Sequence, residues 1–353
     1  MNNRLTYIVL CISFAFSALG YAQKTTDSIK TGKVTKLFIQ EGILPIKLSY
    51  SNKEIKKKTN DSTFIKTVLS YQNEDQSWKD LEVKIRRRGD FRLNNCYFAP
   101  IKMKIKKSVS KGSLFEKNKK LKLAVQCADK KGTEDYIVKE YMAYKIYEVV
   151  SNYHYKVRLV DIFFTEPGNG KDKTFEFKGY FIEDIKLVAK RHGGQPIDRD
   201  MHPQAQDPVS SVQNAFFQFM IGNIDFSTYV QHNEKLIFVD EKVVPVPFDF
   251  DMSGLVNTSY ATVSESNNEA LPITSVTDRL YRGFKRDPAV IAQVRKEYLD
   301  KKVEVMKVID DLQVYFVNPK QFEEAKNYVL SFYKILEDDN LYAKEITKKL
   351  RTR

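Results

Sequence analysis

The chain has 353 residues, 42% of them hydrophobic, and its 58 lysines and arginines against 45 acidic residues leave a formal net charge of +13. That length excludes a mini-domain and suffices for one large core or two smaller ones. The basic excess points to an anionic partner such as a nucleotide, a phosphoglycan, a lipid headgroup or an acidic protein, and no nucleic-acid-binding motif accompanies it.

Residues 1–22 carry one early cation, Arg4, then an apolar run from Tyr7 to Leu19, then the small residues Gly20 and Ala22. These are the three parts of a secretory signal peptide, with cleavage expected before Gln23. The run is shorter than the roughly 20 residues that span a bilayer, and no second long apolar segment follows. The mature chain is therefore expected to be exported, periplasmic or at the cell surface, without a transmembrane segment. Two cysteines, Cys96 and Cys127, lie beyond the signal. In an oxidising compartment the pair reads as a disulfide; the four histidines are scattered and add no metal-ligand pattern.

Residues 23–35 are polar and read as a flexible lead-in. From Leu37 to Leu123 strands dominate: Leu44-Pro-Ile-Lys-Leu-Ser-Tyr, Leu81-Glu-Val-Lys-Ile-Arg, Ile101-Lys-Met-Lys-Ile-Lys and Lys120-Leu-Lys-Leu-Ala-Val all alternate apolar and polar residues. The period then changes, and Thr133–Val150 predicts an amphipathic helix. Strands are expected at Tyr155–Phe164 and Phe175–Glu183. Ser211–Gly222 reads as an apolar helix, followed by strands at Lys235–Val239 and Val243–Phe248. From about Ser275 the chain is mostly helical and charged. Sheet, helix, sheet, then mainly helices is an α+β order.

The stretch that carries chemistry runs from Gly222-Asn-Ile-Asp to His232-Asn233 and on to Pro247-Phe-Asp-Phe-Asp. It sets an aspartate in a loop, an asparagine eight residues later, and Asp-x-Asp after an apolar strand. Phosphoryl transfer needs a carboxylate to orient the attacking hydroxyl and oxygen ligands for the metals that neutralise phosphate charge. Such ligands suit Mg²⁺ or Mn²⁺. Asp and Asn are also ordinary turn formers, but Asp249 and Asp251 flank a single Phe and repel each other unless a cation sits between them.

Several blocks in order resemble the spore-coat-protein-H-like (CotH-like) atypical kinases. Arg88-Gly89 followed by Pro100-Ile-Lys-Met-Lys-Ile is similar to that family's hairpin, and Val138-Lys-Glu-Tyr-Met-Ala-Tyr to its helix. Lys178-Gly-Tyr-Phe-Ile-Glu-Asp resembles the strand entering its nucleotide-binding hinge. Asn223, Asp225, His232-Asn233 and Pro247-Phe-Asp-Phe-Asp resemble its Asp…His-Asn and Trp-Asp-Tyr-Asp motifs. The match covers about half the chain, from Leu81 to Gly254.

The resemblance implies a protein-kinase-like two-lobed fold, with a β-rich N-lobe over 36–185 and a mainly helical C-lobe over 186–353. It implies Asp225 as the catalytic carboxylate and Asn233 and Asp249 as metal ligands, with Asp251 behind them or as an alternative metal ligand. Glu140 would pair with a phosphate-binding lysine, either Lys104 or Lys122, and Glu183 would lie at the nucleotide hinge. The spacing from Asp225 to Asn233 is longer than in the family, so the loop between them must bulge. The implied activity is transfer of a phosphoryl group from ATP or another nucleotide, with Mg²⁺ or Mn²⁺, to a hydroxyl on an exported protein or glycan. The alternative is a non-catalytic pseudokinase or binding scaffold that recognises an anionic envelope partner.

Overall fold

The alternating runs form the strands their patterns predict. The computed structural model describes residues 32–89, 91–128, 132–263 and 271–352, so the expected signal at 1–22 and most of the lead-in lie outside the described residues. The N-terminal half carries β1 (Leu44–Ser49), β2 (Ile65–Gln72), β3 (Trp78–Arg87), β4 (Ile101–Ile105), β5 (Lys120–Val125), β6 (Val157–Glu166) and β7 (Lys173–Ile182). Short helices α1 (Lys36–Ile39), α2 (Asn52–Lys58), α3 (Phe91–Asn95) and α4 (Lys107–Ser110) fill its connections, and α5 (Asp135–Val150) separates β5 from β6.

These seven strands close into one barrel in the order β1-β2-β3-β4-β5-β7-β6. All neighbours are antiparallel except β1 and β6, whose parallel pairing sets Ile46 opposite Ile162 and shuts the barrel. Inward-facing Ile46, Leu69, Ile85, Met103, Leu123, Phe164 and Phe181 are fully or almost fully buried and fill its interior. Closure removes the exposed edges an open sheet would leave.

This barrel corrects the expected protein-kinase-like two-lobed fold. A closed mixed barrel stands where a β-rich N-lobe was expected, and the helices gather mainly in the C-terminal part. Alternation assigns each strand a buried and a wet face but does not name its partner. The pairing that closes the barrel joins segments more than a hundred residues apart, and no local pattern encodes it.

The C-terminal part contains α6 (Ile185–Arg191), β8 (Gln195–Ile197), α7 (Pro208–Met220), the hairpin β9 (Glu234–Val239) and β10 (Lys242–Pro247), then α8 (Pro288–Asp300), α9 (Lys302–Asp311), α10 (Pro319–Glu337) and α11 (Asp339–Glu345). Strands β8, β9 and β10 form a small antiparallel sheet. Three of the helices start alike: Asp207-Pro208, Asp287-Pro288 and Asn318-Pro319 each supply a side-chain acceptor for an orphan backbone N–H and a proline with helical φ. Helix α5 was expected to be amphipathic. Instead it is buried on most of its circumference, with even Lys139 and Glu140 covered, because barrel strands and C-terminal helices pack on it from different sides. Among the described residues no helix is long and apolar enough to cross a membrane.

Candidate functional site

Two loops meet beneath α5. The first follows α7 and begins at Gly222, whose φ of +61° and lack of Cβ both matter: a Cβ there would lie 2.0 Å from the Tyr328 hydroxyl. The second follows β10. Its Gly254 presses on the same hydroxyl and donates its N–H to the Gly222 carbonyl at 3.1 Å. The two glycines therefore clasp the loop of Asp225 to the loop of Asp249 and Asp251.

In the first loop the buried Asn223 amide donates to the Gln218 side chain at 2.9 Å, and its oxygen accepts the Asp225 N–H at 3.0 Å. This Asx turn presents the Asp225 carboxylate. The imidazole Nε2 of His232 lies 3.1 Å from Asp225 Oδ1, and Asn233 Nδ2 donates to Asp225 Oδ2 at 3.0 Å and to its carbonyl at 2.7 Å. The expected bulge is real: a bridge between Ser227 and His232 pinches off the intervening residues, leaving Tyr229 and Val230 exposed at the tip. Residue Asn233 (φ +53°) and Asp249 (φ +66°) both hold left-handed backbone, a conformation that costs energy and collects at functional sites.

Within Asp-Phe-Asp the middle ring enters the core while the two carboxylates gather with Glu140. Phe250 is fully buried against Tyr144 and Phe217. Carboxylate oxygens of Asp249, Asp251 and Glu140 then converge, all within 4.8 Å of one another. The Tyr144 hydroxyl accepts the Asp249 N–H at 2.9 Å, and the Tyr260 hydroxyl donates to Asp251 Oδ2 at 3.0 Å. Facing the acids, Arg88 stands 4.0 Å from Asp249 and Arg92 3.9 Å from Asp251, too far for hydrogen bonds.

Burial raises the Glu140 carboxyl above the usual range, and the Asp251 and Asp249 charges add to that while Arg92 opposes it. Asp251 is raised for the same first reason, with Arg92 again opposing and Asp249 adding. The three converging carboxylates form an oxygen set for a hard divalent cation. A cavity of about 10 Å³ bordered by Arg92, Glu140, Asp251 and Tyr260 has room for one ion or water. The donor chemistry and the space therefore fit a Mg²⁺ or Mn²⁺ ion.

Of the two candidate lysines, Lys122 reaches this site and Lys104 does not. The Lys122 amine rests 4.0 Å above the Phe248 ring. Burial and then the Arg88 charge push its pKa down to about 7, with Asp249 pulling the other way. Lys104 sits on the barrel exterior over Phe64. Among the described residues no lysine pairs with Glu140; Arg92 is its cationic neighbour instead. Glu183 is consumed structurally, since its carboxylate accepts the Lys156 N–H at 3.1 Å and pairs with Arg191 at 3.2 Å. Asn233 stands with Asp225 rather than in the acidic cluster.

Sequence reasoning missed Arg92, Tyr144 and Tyr260 as parts of the site, and used Arg88 and His232 only as motif letters. Tyr144 had a signal, one helical turn beyond Glu140 on the same face; Arg92 had none. Cys96 and Cys127 stand at disulfide distance, with Cα atoms 4.6 Å apart. They lie just after α3 and β5, and the Phe98 N–H donates to the Cys127 carbonyl beside them. No protein-family model matches the sequence, and no curated protein matches it.

Proposed function

We propose that the chain binds a nucleotide with a divalent cation at this site and transfers its terminal phosphoryl group to a hydroxyl of an exported protein or glycan. The observation that carries the reading is the convergence of Glu140, Asp249 and Asp251 within 4.8 Å, faced by Arg88, Arg92 and Lys122. The motif order that resembles the CotH-like atypical kinases supports it independently of the fold. Asp249 and Asp251, with Glu140, would hold the cation, which when bound neutralises phosphate charge. Asp225, its carboxylate oriented by His232 and Asn233, accepts the proton of the attacking hydroxyl. Arg88 and Lys122 hold phosphate oxygens, and Lys122 gains its proton as they arrive because an anion stabilises the charged amine.

Turnover tests this division of labour. ADP release from ATP with Mn²⁺ or Mg²⁺ is expected from the wild type. Asp225→Asn should keep nucleotide binding and lose turnover, whereas Asp249→Asn should lose both. Turnover that survives Asp225→Asn defeats the assignment.

A second reading, a non-catalytic scaffold for an anionic envelope partner, has its own support. Lys66, Lys84, Lys104 and Lys120 stand directly opposite one another on four consecutive strands. Like charges in register destabilise a sheet, and a bound polyanion offsets that cost. Such a binder is indifferent to Asp249→Asn.

A further inference from the structure

Strand alternation places Val160, Ile162 and Phe164 of β6 inside the barrel, and the same register puts Arg158 inside at its end. Arg158 is only 6% exposed. Its Nε and Nη1 are buried without a hydrogen-bond partner, and among the described residues its guanidinium makes no ion pair. Burial lowers its pKa, while Tyr141, Tyr315 and Glu41 act on it in the opposite direction. Guanidinium N–H groups taken out of water and left without an acceptor are costly, and among the described residues no hydrogen bond or ion pair satisfies the Nε and Nη1 of Arg158.

The side chain borders a groove of about 540 Å³ at the barrel mouth, the size of a small-molecule site. Lys36, Leu44, Pro45 and Leu114 share its lining. Its two acids are held by neutral donors: Glu74 accepts from the Gln40 amide at 2.6 Å, and Asp75 accepts the Ser77 N–H at 2.9 Å. Among the described residues neither Lys36 nor Arg158 pairs with an acid. The groove therefore offers apolar walls beside a planar donor fork whose Nε and Nη1 have no acceptor among the described residues.

We propose that the barrel mouth is a second binding site, separate from the acidic cluster, which takes a small ligand with an apolar body and a carboxylate or phosphate group held by Arg158. The planar fork pairs with either oxyanion bidentately.

Thermal shift with benzoate and with phenyl phosphate tests this, against benzyl alcohol and against sodium chloride at equal ionic strength. The two anions should raise the Tm in a saturable way where the alcohol and chloride do not, and the larger response identifies the preferred oxyanion. Arg158→Met should weaken the response roughly tenfold or more, and Arg158→Lys should restore part of it. Asp249→Asn should leave it intact, because the acidic cluster is elsewhere. Without ligand, Arg158→Met should melt at or above the wild-type temperature, since an unpaired buried charge has gone. The proposal is overturned by a wild type that responds to neither anion. It is equally overturned if Arg158→Met responds normally, or melts lower while the anions act unchanged, because the side chain then serves packing alone.

Discussion

Glu234 opens β9 beside Asn233 and is completely buried. Among the described residues its carboxylate has amide partners only, Gln206 Nε2 at 3.1 Å and Asn214 Nδ2 at 2.7 Å. Burial raises its pKa from 4.5 to about 8, against the pull of those two hydrogen bonds. Below pH 4.5 the group is protonated in both folded and unfolded chains, and its contribution to stability is fully present. As pH rises toward 8 the unfolded chain releases the proton and the folded chain keeps it, so stability falls by about 1.4 kcal/mol per pH unit. At pH 7 the accumulated loss is about 3 kcal/mol by the same linkage. Glu234→Gln has the shape and donor of the protonated acid, and one neighbouring amide turns over to accept from it. The substitution should therefore be nearly neutral at pH 4.5 and stabilising by about 3 kcal/mol at pH 7. Urea unfolding of both proteins at the two pH values measures this. A Glu234→Gln protein that is less stable than wild type at pH 7, with no trend in pH, would show the carboxylate to be ionised and would refute the reasoning.

Two further outcomes concern the site and the staple. His232 is held above its ordinary pKa by its hydrogen bond to Asp225, with burial opposing and the Asp225 and Asp249 charges helping. The pairing contributes below pH 6.5 and is lost as pH rises through the raised value. In Asp225→Asn the imidazole pKa should fall, as read by NMR titration of its ring carbon protons; an unchanged pKa would mean that the contact does not form. The Cys96–Cys127 bridge spans a sequence separation of 31, so its loss in a double Cys→Ser variant should cost about 3–4 kcal/mol on the chain-entropy account. Urea unfolding under non-reducing conditions checks it, and equal stability of the two proteins would mean that the bridge is not formed.

Strands β1, β3, β4 and β5 were legible because apolar and charged residues alternate along them, and α7 because its apolar residues are dense. Strand β2 escaped: Ile65 and Thr67 sit at its ragged outer end, and only Leu69 and Tyr71 are deeply buried. The closed barrel escaped because β1 reaches β6 across α5, a pairing that local periodicity does not record. In the site, Asp225, Asn233, Asp249 and Asp251 were found as loop polar residues around an apolar hairpin. What linked them was not legible. Glu140 joins Asp249 and Asp251 only once α5 lies over the loop after β10. Arg92 enters from a five-residue helix that no pattern marks, and Lys104 and Lys122 are alike until the barrel turns one of them toward Asp249.

The central claim is that the acidic cluster holds a divalent cation through which a nucleotide binds. Calorimetric titration of the protein with ATP, in Mn²⁺ and in its absence, tests it most directly beside Asp249→Asn, whose asparagine tolerates the left-handed backbone at that position. The account predicts saturable binding that needs Mn²⁺ and disappears in the variant. Binding that is equal with and without the metal, or unaltered by Asp249→Asn in a folded protein, would contradict it.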